Sequence, residues 1–319
     1  MQSFVVNSSS SNNLLTESSS SLFLKLTLVQ VLVGIFLCVN CLMIFTFLKK
    51  EVFREDTRYI LFAQTLFVDS TLLVLSDMLM LGTAYQYHMH MIACIIVQSV
   101  GTMFAICTSM TLAAMCLERY VAICMPLRHA DISTRRNRFF GFLIIWGMSS
   151  IVPLITLIAY LSVVPPGALF SYTVCNPELL LKEEWQAHTR GTILQLIFLF
   201  MIFIIVFTYI KIMIAARAAS SENKKSTSKS LRTVILHAFQ LFLCTVQFSI
   251  PYIEMVFWNI DIITYNNIRY SNLIVFVIAP RCISPLIYGL RDEKFFLALR
   301  HNAMCGLTAF SQHYSVNGK

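Results

Sequence analysis

Charge is what this sequence has least of. Asp, Glu, Lys and Arg make up 13% of its 319 residues, about half the share found in soluble domains. Apolar residues reach 57%, with 25 Phe and 15 Met among them. That balance excludes a disordered chain and argues against a water-soluble enzyme. No internal repeat at a fixed period is visible, which disfavours a transporter built from duplicated halves. No His, Cys, Asp or Glu cluster has metal-ligand spacing, and Gly-x-Ser-x-Gly does not occur. An intramembrane enzyme therefore has no motif to rest on. The first residues lack the basic start and small-residue cleavage site of a signal peptide.

What is abundant is long uncharged runs. About 20 apolar residues cross a hydrocarbon core as a helix. Seven stretches qualify: 26–48, 59–83, 92–117, 139–163, 191–210, 233–258 and 270–290. Helix is the expected form, because a lone segment in lipid must satisfy its own backbone groups. The expected fold is an all-α membrane protein, a seven-transmembrane helix bundle over 22–290. Residues 1–21 are rich in Ser and Asn and read as a disordered tail. The first span then serves as its own insertion signal. Residues 291–305 read as a short amphipathic eighth helix on the membrane surface, with Phe295, Phe296, Leu299 and Ala303 on its apolar side. Residues 306–319 form a tail. Cys305 ends the surface helix, where palmitoylation and a plain thiol are both open readings.

Orientation follows from the basic residues. With the N-terminus outside, the inner segments hold 19 of the 24 Lys and Arg, and the outer segments hold only Lys25, Lys182, Arg190 and Arg269. The net charge of +8 is thus a cytoplasmic rim facing anionic membrane lipid and acidic partners, and no nucleic acid is needed to explain it. The expected location is the plasma membrane, multi-pass, with the C-terminus in the cytoplasm. Asn7-Ser8-Ser9 is then a glycosylation sequon on the outer side.

The third span runs from Cys94 to Arg119, 25 residues on, or roughly 37 Å of helix. Cys94 therefore belongs at the outer face and Arg119 at the inner. Cys175 lies in the longest outer loop, 164–190. These are the two Cys outside apolar or cytoplasmic stretches, and the outer face is oxidising, so a Cys94–Cys175 bridge is expected. The other eight, at 38, 41, 107, 116, 124, 244, 282 and 305, read as small core residues or cytosolic thiols.

The run Met115 to His129, MCLERYVAICMPLRH, resembles the MAYDRYVAICxPLxY stretch of vertebrate odorant receptors, which are rhodopsin-like (class A) G-protein-coupled receptors. Shorter matches lie along the chain in the family's order. Leu66 to Asp69 resembles the second-helix L-x-V-D, with Asn40 as the first-helix Asn. Trp146 stands at the fourth-helix Trp. Thr208 to Ile212 resembles SYxxI, and Lys229 to Thr233 with His237 resembles KAFSTCxSH. Ser284 to Asp292 resembles NPxIYSLRN. The likeness covers about 25–300 and is that of a divergent, fish-type member. Glu118 replaces the family Asp and keeps its charge. Ser284 replaces the family Asn and alters the seventh-helix polar contact. Ser249, two residues before Pro251, stands where many other rhodopsin-like receptors carry Trp.

The resemblance implies a receptor for a small odorant, coupled to a stimulatory, olfactory-type heterotrimeric G protein that raises cAMP. Glu118, Arg119, Tyr120, Ala122, Pro126 and Leu127 are the implied signalling surface, with Tyr209, His237 and Tyr288 reorganising around it. On physical grounds, Arg119 beside Glu118 can form a resting charge pair whose release frees a cation for a partner.

Asp69 lies mid-span, where a carboxylate is costly and functional by default. The resemblance places it in a polar core with Asn40, Ser284 and Pro285, where a Na⁺ would be the only cofactor. Arg281, four residues before Pro285, argues against the ion. It either pairs with Asp69 in the ion's place, or points into a watery pocket or toward headgroups.

The ligand is expected in the outer half of the bundle, in an apolar pocket with few polar anchors. Matched positions give Gly101, Thr102, Ala105 and Ile106 on the third helix, and Leu194 and Ile197 on the fifth. The sixth offers Tyr252, Ile253 and Val256, and the seventh Ile274, Val277 and Ile278. Gly101 stands where amine receptors carry Asp, which argues against an amine. Asp77 and Glu254 either anchor a ligand or reach water. The alternatives are a non-olfactory class A receptor and a small-solute transporter.

Overall fold

The computed structural model describes residues 8–218, 235, 238–240, 242–244, 246–250, 262–283 and 294–302. Among these, five helices are long and apolar enough to cross a membrane: Phe23–Lys49, Thr57–Ala84, Met91–Cys124, Arg135–Val163 and Glu184–Ala215. They coincide with the first five expected spans. Helical pieces at 238–240, 242–244 and 246–250 fall in the sixth. Ile262–Asn272 leads through a π-helical turn, Leu273–Ile278, into the seventh.

Local chemistry sets where the helices begin. The Asp56 carboxylate accepts from the Arg58 amide at the start of the second. His90 Nδ1 accepts from the Ile92 amide at the third, and Thr134 Oγ1 from the Asn137 amide at the fourth. Each satisfies an amide that the helix itself leaves without a partner. The third helix continues to Cys124, past Arg119. Pro126 then opens a short helix, Pro126–Ile132, a position proline tolerates because its missing N–H is not needed there.

The third helix is the hub, packing on the second, fourth and fifth. Its inner half contributes Leu112, Met115 and Cys116 to a core shared with Met43, Phe62, Leu66, Met201 and Cys244. Two short strands that the spacing did not signal lie at the disulfide end of the bundle, one between the second and third helices and one in the 164–190 loop. β1 (His88–His90) pairs antiparallel with β2 (Tyr172–Val174), with Met89 opposite Thr173. The Cys94–Cys175 disulfide lies just beyond both strands, its Cα atoms 5.5 Å apart.

Three expectations meet a different arrangement. The first helix extends back to Ser8, into the stretch read as a disordered tail; once a helix is nucleated, adding residues costs little. The fifth starts at Glu184, within the polar segment assigned to the loop. Cys38 and Cys41 are exposed on the first helix and so belong to neither the core nor the cytosol. A small apolar side chain in a span is as suited to lipid as to packing, and composition does not tell the two apart.

A helical segment over 294–302 lies beyond the seventh span. Phe295 is buried at 1% exposure against the rings of Phe53, Tyr59 and Phe62. Asn302 donates to Thr46 Oγ1 at 3.2 Å and accepts from Lys49 at 3.3 Å. Phe296 and Leu297 face outward. The segment thus has one face held by the first and second helices and the short turn of helix between them, and another left exposed.

Candidate functional site: a polar core between two faces

Near the C-terminal end of the third helix, Arg119 Nε lies 3.6 Å from Glu118 Oε2. The other Glu118 oxygen lies 3.4 Å from His129 Nε2, a neighbour that sequence reading missed. Its signal was the 11-residue spacing around a proline turn, which folds the short helix back on the third. Glu118 is therefore held from both sides. Tyr120 stacks edge-on with Phe207 of the fifth helix, centroids 5.6 Å apart. Ala122 is partly buried and Tyr209 exposed. Pro126 is exposed, and Leu127, at 93% exposure, projects from the short helix with nothing covering it. His237 and Tyr288 lie outside the described residues.

Deeper in the bundle, Asp69 and Arg281 are both fully buried, and Arg281 Nε lies 3.8 Å from Asp69 Oδ1. Of the two readings left open for Arg281, the geometry is that of the pair. Thr108 Oγ1 donates to the same carboxylate oxygen at 2.8 Å. Asn40 donates to Ser70 Oγ at 3.0 Å, and so reaches the residue beside Asp69 rather than Asp69 itself. Ser284 and Pro285 lie outside the described residues. The donors around Asp69 include a guanidinium and a hydroxyl. A guanidinium already supplies the cation that a buried carboxylate requires, so the residues present fit a Na⁺ poorly.

Arg281 has a second task that explains its place. Its Nη1 donates to the Phe276 carbonyl at 2.9 Å. Four residues on from Phe276 is Pro280, which has no N–H to give that carbonyl and whose ring crowds it. The helix responds with the π turn, in which the Ala279 amide reaches back to Ile274 O. The guanidinium takes over the donor role that proline vacates. In lipid, where water cannot do so, such carbonyls must find a partner within the protein.

In the outer half, the expected ligand residues divide into two groups. Ile106 and Leu194 are buried together with Val152 and Phe248, and Ala105 and Ile197 pack beside them. Gly101 and Thr102 lie one turn outward and are partly buried. A Cβ on Gly101 would meet nothing within 4 Å, so the third helix leaves space there. Ile278 and Ile274 instead pack with Val29, Val33 and Leu73 of the first and second helices. The π turn, Leu273–Ile278, holds an extra residue relative to an α-helix and so turns these side chains away from the face a regular helix would present. Val277 is partly buried. Tyr252, Ile253, Val256 and Glu254 lie outside the described residues, as do Asn7 and Cys305. Asp77, read as a ligand anchor or a water-facing acid, hydrogen-bonds Gln30 of the first helix. A polar pair that sequence reading missed links the fifth and sixth helices: Gln195 Nε2 donates to Ser249 Oγ at 3.0 Å, flanking the Leu194–Phe248 cluster.

A continuous helix thus joins a disulfide-tied outer end to a charge pair at the inner face, with a buried ion pair beside its middle. This arrangement agrees with the family model for the 7 transmembrane receptor (rhodopsin family), which matches residues 39–288. The chain belongs to that family, as a seven-transmembrane, class A G-protein-coupled receptor of odorant type. It is 52% identical to odorant receptor 131-2 of Danio rerio over 315 residues, covering 98% of this chain and 97% of that one. More distant likenesses are to opsin-1, short-wave-sensitive 1, of Danio rerio, 24% identical over 80% of this chain and 77% of that one. Galanin receptor 2a of Danio rerio is 27% identical over 61% of this chain and 53% of its own length. The family is one of multi-pass plasma-membrane receptors rather than enzymes, with a small-molecule ligand and a G protein as partners.

Proposed function

We propose that this receptor binds a small odorant in the outer half of its bundle and activates a stimulatory, olfactory-type G protein, raising cAMP. Its N-terminus, with Asn7 glycosylated, lies outside the cell and its C-terminus in the cytoplasm. The basic rim, with 19 of 24 Lys and Arg on one side, supports that orientation. The observation that carries the reading is the state of Glu118. It engages Arg119 and His129 together, beside an exposed Leu127. In the resting receptor Arg119 is retained. When ligand shifts the third helix, Glu118 keeps His129 and releases Arg119 toward the G protein. Tyr120, Ala122, Pro126 and Leu127 form the rest of the docking surface, and Tyr209, His237 and Tyr288 rearrange to admit it.

Asp69, Arg281, Thr108, Asn40, Ser284 and Pro285 form the polar core through which the two faces communicate. The ligand lining on this reading is Gly101, Thr102, Ala105, Ile106, Leu194 and Ile197, with Tyr252, Ile253 and Val256 completing it from the sixth helix. Gln195 and Ser249, hydrogen-bonded to each other, border it.

The test is expression with a stimulatory α-subunit and cAMP measurement across an odorant panel, for the wild type and Arg119→Ala. A response lost in Arg119→Ala at unchanged surface display is expected. A response that survives the substitution would undo the mechanism, and ligand-driven solute flux without cAMP would favour a transporter.

A further inference from the structure

Arg190 stands on the fifth spanning helix, one turn outward of Leu194. Residues three, four and seven apart share a helix face, so Arg190 lies with Ile193, Leu194 and Ile197. The contacts of that face fix its direction. Leu194 is buried against Ile106, Val152 and Phe248. One turn outward of Arg190, Gln186 donates to the Ala159 carbonyl of the fourth helix at 2.6 Å. Arg190 is therefore bracketed by two inward-facing turns. Its Nε is buried without a hydrogen-bond partner, and among the described residues it makes no ion pair. The nearest acids along the chain, Glu183 and Glu184, are exposed. The outer half of the third helix, 92–108, contains no acid, and at Gly101 it leaves open space. The residue as a whole is partly buried, and a guanidinium partly drawn from water gains when something supplies a counter-charge.

We propose that Arg190 is the anchor for the ligand's polar end and that the ligand is a small organic carboxylate with an apolar tail. The guanidinium fork matches two carboxylate oxygens at once. The tail runs inward along Ile193, Leu194 and Ile197 toward Ile106 and Phe248, over about 10 Å of helix. This deepens the odorant-receptor reading and rests on it only for the signalling measurement below.

The experiment uses full-length receptor purified in detergent, with straight-chain carboxylates from hexanoate to decanoate and their methyl esters as probes. Thermal unfolding reads binding, and cAMP in cells reads signalling. Acids are expected to stabilise the wild type at concentrations about tenfold or more below their esters, the discrimination due to one charge-matched site. Arg190→Gln is expected to erase that preference at normal surface display, and Arg190→Lys to retain part of it. The inference is overturned if acids and esters act alike on the wild type, if no acid stabilises it, or if Arg190→Gln leaves the preference intact. The wild-type acid-to-ester ratio decides the matter even if Arg190→Gln fails to reach the surface. Stabilisation by acids without any cAMP response would leave the carboxylate site standing and remove the G-protein reading instead.

Discussion

Arg281 answers two needs with one side chain, and the needs can be separated. Replacing it with Met takes the guanidinium away from buried Asp69 and removes the side-chain donor to Phe276 O. Loss of one partner from a buried pair costs about 3–5 kcal/mol, and an unmet backbone group adds about 1–3 kcal/mol. Arg281→Met should therefore fall sharply in surface display and melting temperature. Pro280→Ala restores a backbone N–H four residues after Phe276, and Asp69→Asn removes the carboxylate charge. Each is expected to recover part of the loss in an Arg281→Met background, and the two together most of it. Equal defects with and without Pro280→Ala would refute the carbonyl-capping role. At the inner face, Leu127→Asp should leave folding and ligand binding intact, because the side chain is bare. G-protein activation should drop by about tenfold or more, as when an anchoring apolar residue is lost from an interface.

Elements differ in how far the sequence disclosed them. Helices in lipid announce themselves by length and apolarity, and the first five spans were legible for that reason. The bridge between Cys94 and Cys175 was legible because topology left no other outer pair. β1 and β2 were not, since three-residue strands carry too little alternation to register. The π turn was not either: nothing at Leu273–Ile278 marks it except the proline just beyond. That miss moved Ile274 and Ile278 from the ligand lining to the packing against the first two helices. Arg190 escaped notice for a different reason. Its charge put it in the loop by composition, while the helix in fact begins six residues before it. The segment 294–302 is helical, but its chief contact, Phe295 among Phe53, Tyr59 and Phe62, is tertiary and lies beyond any local pattern. Phe295→Ala should cost about 3–5 kcal/mol and free that segment. The check is faster hydrogen exchange at 294–302 with the outer half of the bundle unchanged.

For the whole molecule, the proposed function seats ligand and G protein at opposite ends of one helix hub, and on that reading their effects must be reciprocal. Agonist affinity should be higher with nucleotide-free G protein bound and should fall when a non-hydrolysable GTP analogue releases it. A coupling free energy of about 1–3 kcal/mol, or roughly 5- to 150-fold in affinity, is the ordinary range. Affinity indifferent to the G protein would mean that the two ends are not linked. The route available to that coupling is physical contact: Thr108 of the third helix touches Asp69 of the second, which faces Arg281 of the seventh.

The third helix has 34 residues, Met91–Cys124, about 51 Å at 1.5 Å per residue. A bilayer with its interfaces spans roughly 40–45 Å. A rod longer than the slab it crosses leans or protrudes, and leaning is the usual accommodation. On a leaning rod, sliding along its own axis is also sideways travel. At a lean of about 30°, each ångström of slide carries the far end about half an ångström laterally. The disulfide grips this helix three residues from its outer end, while Glu118 and Arg119 sit on the end that swings. A ligand seated at Gly101 and Ile106 would then need to move the helix only along its length for Arg119 to change neighbours.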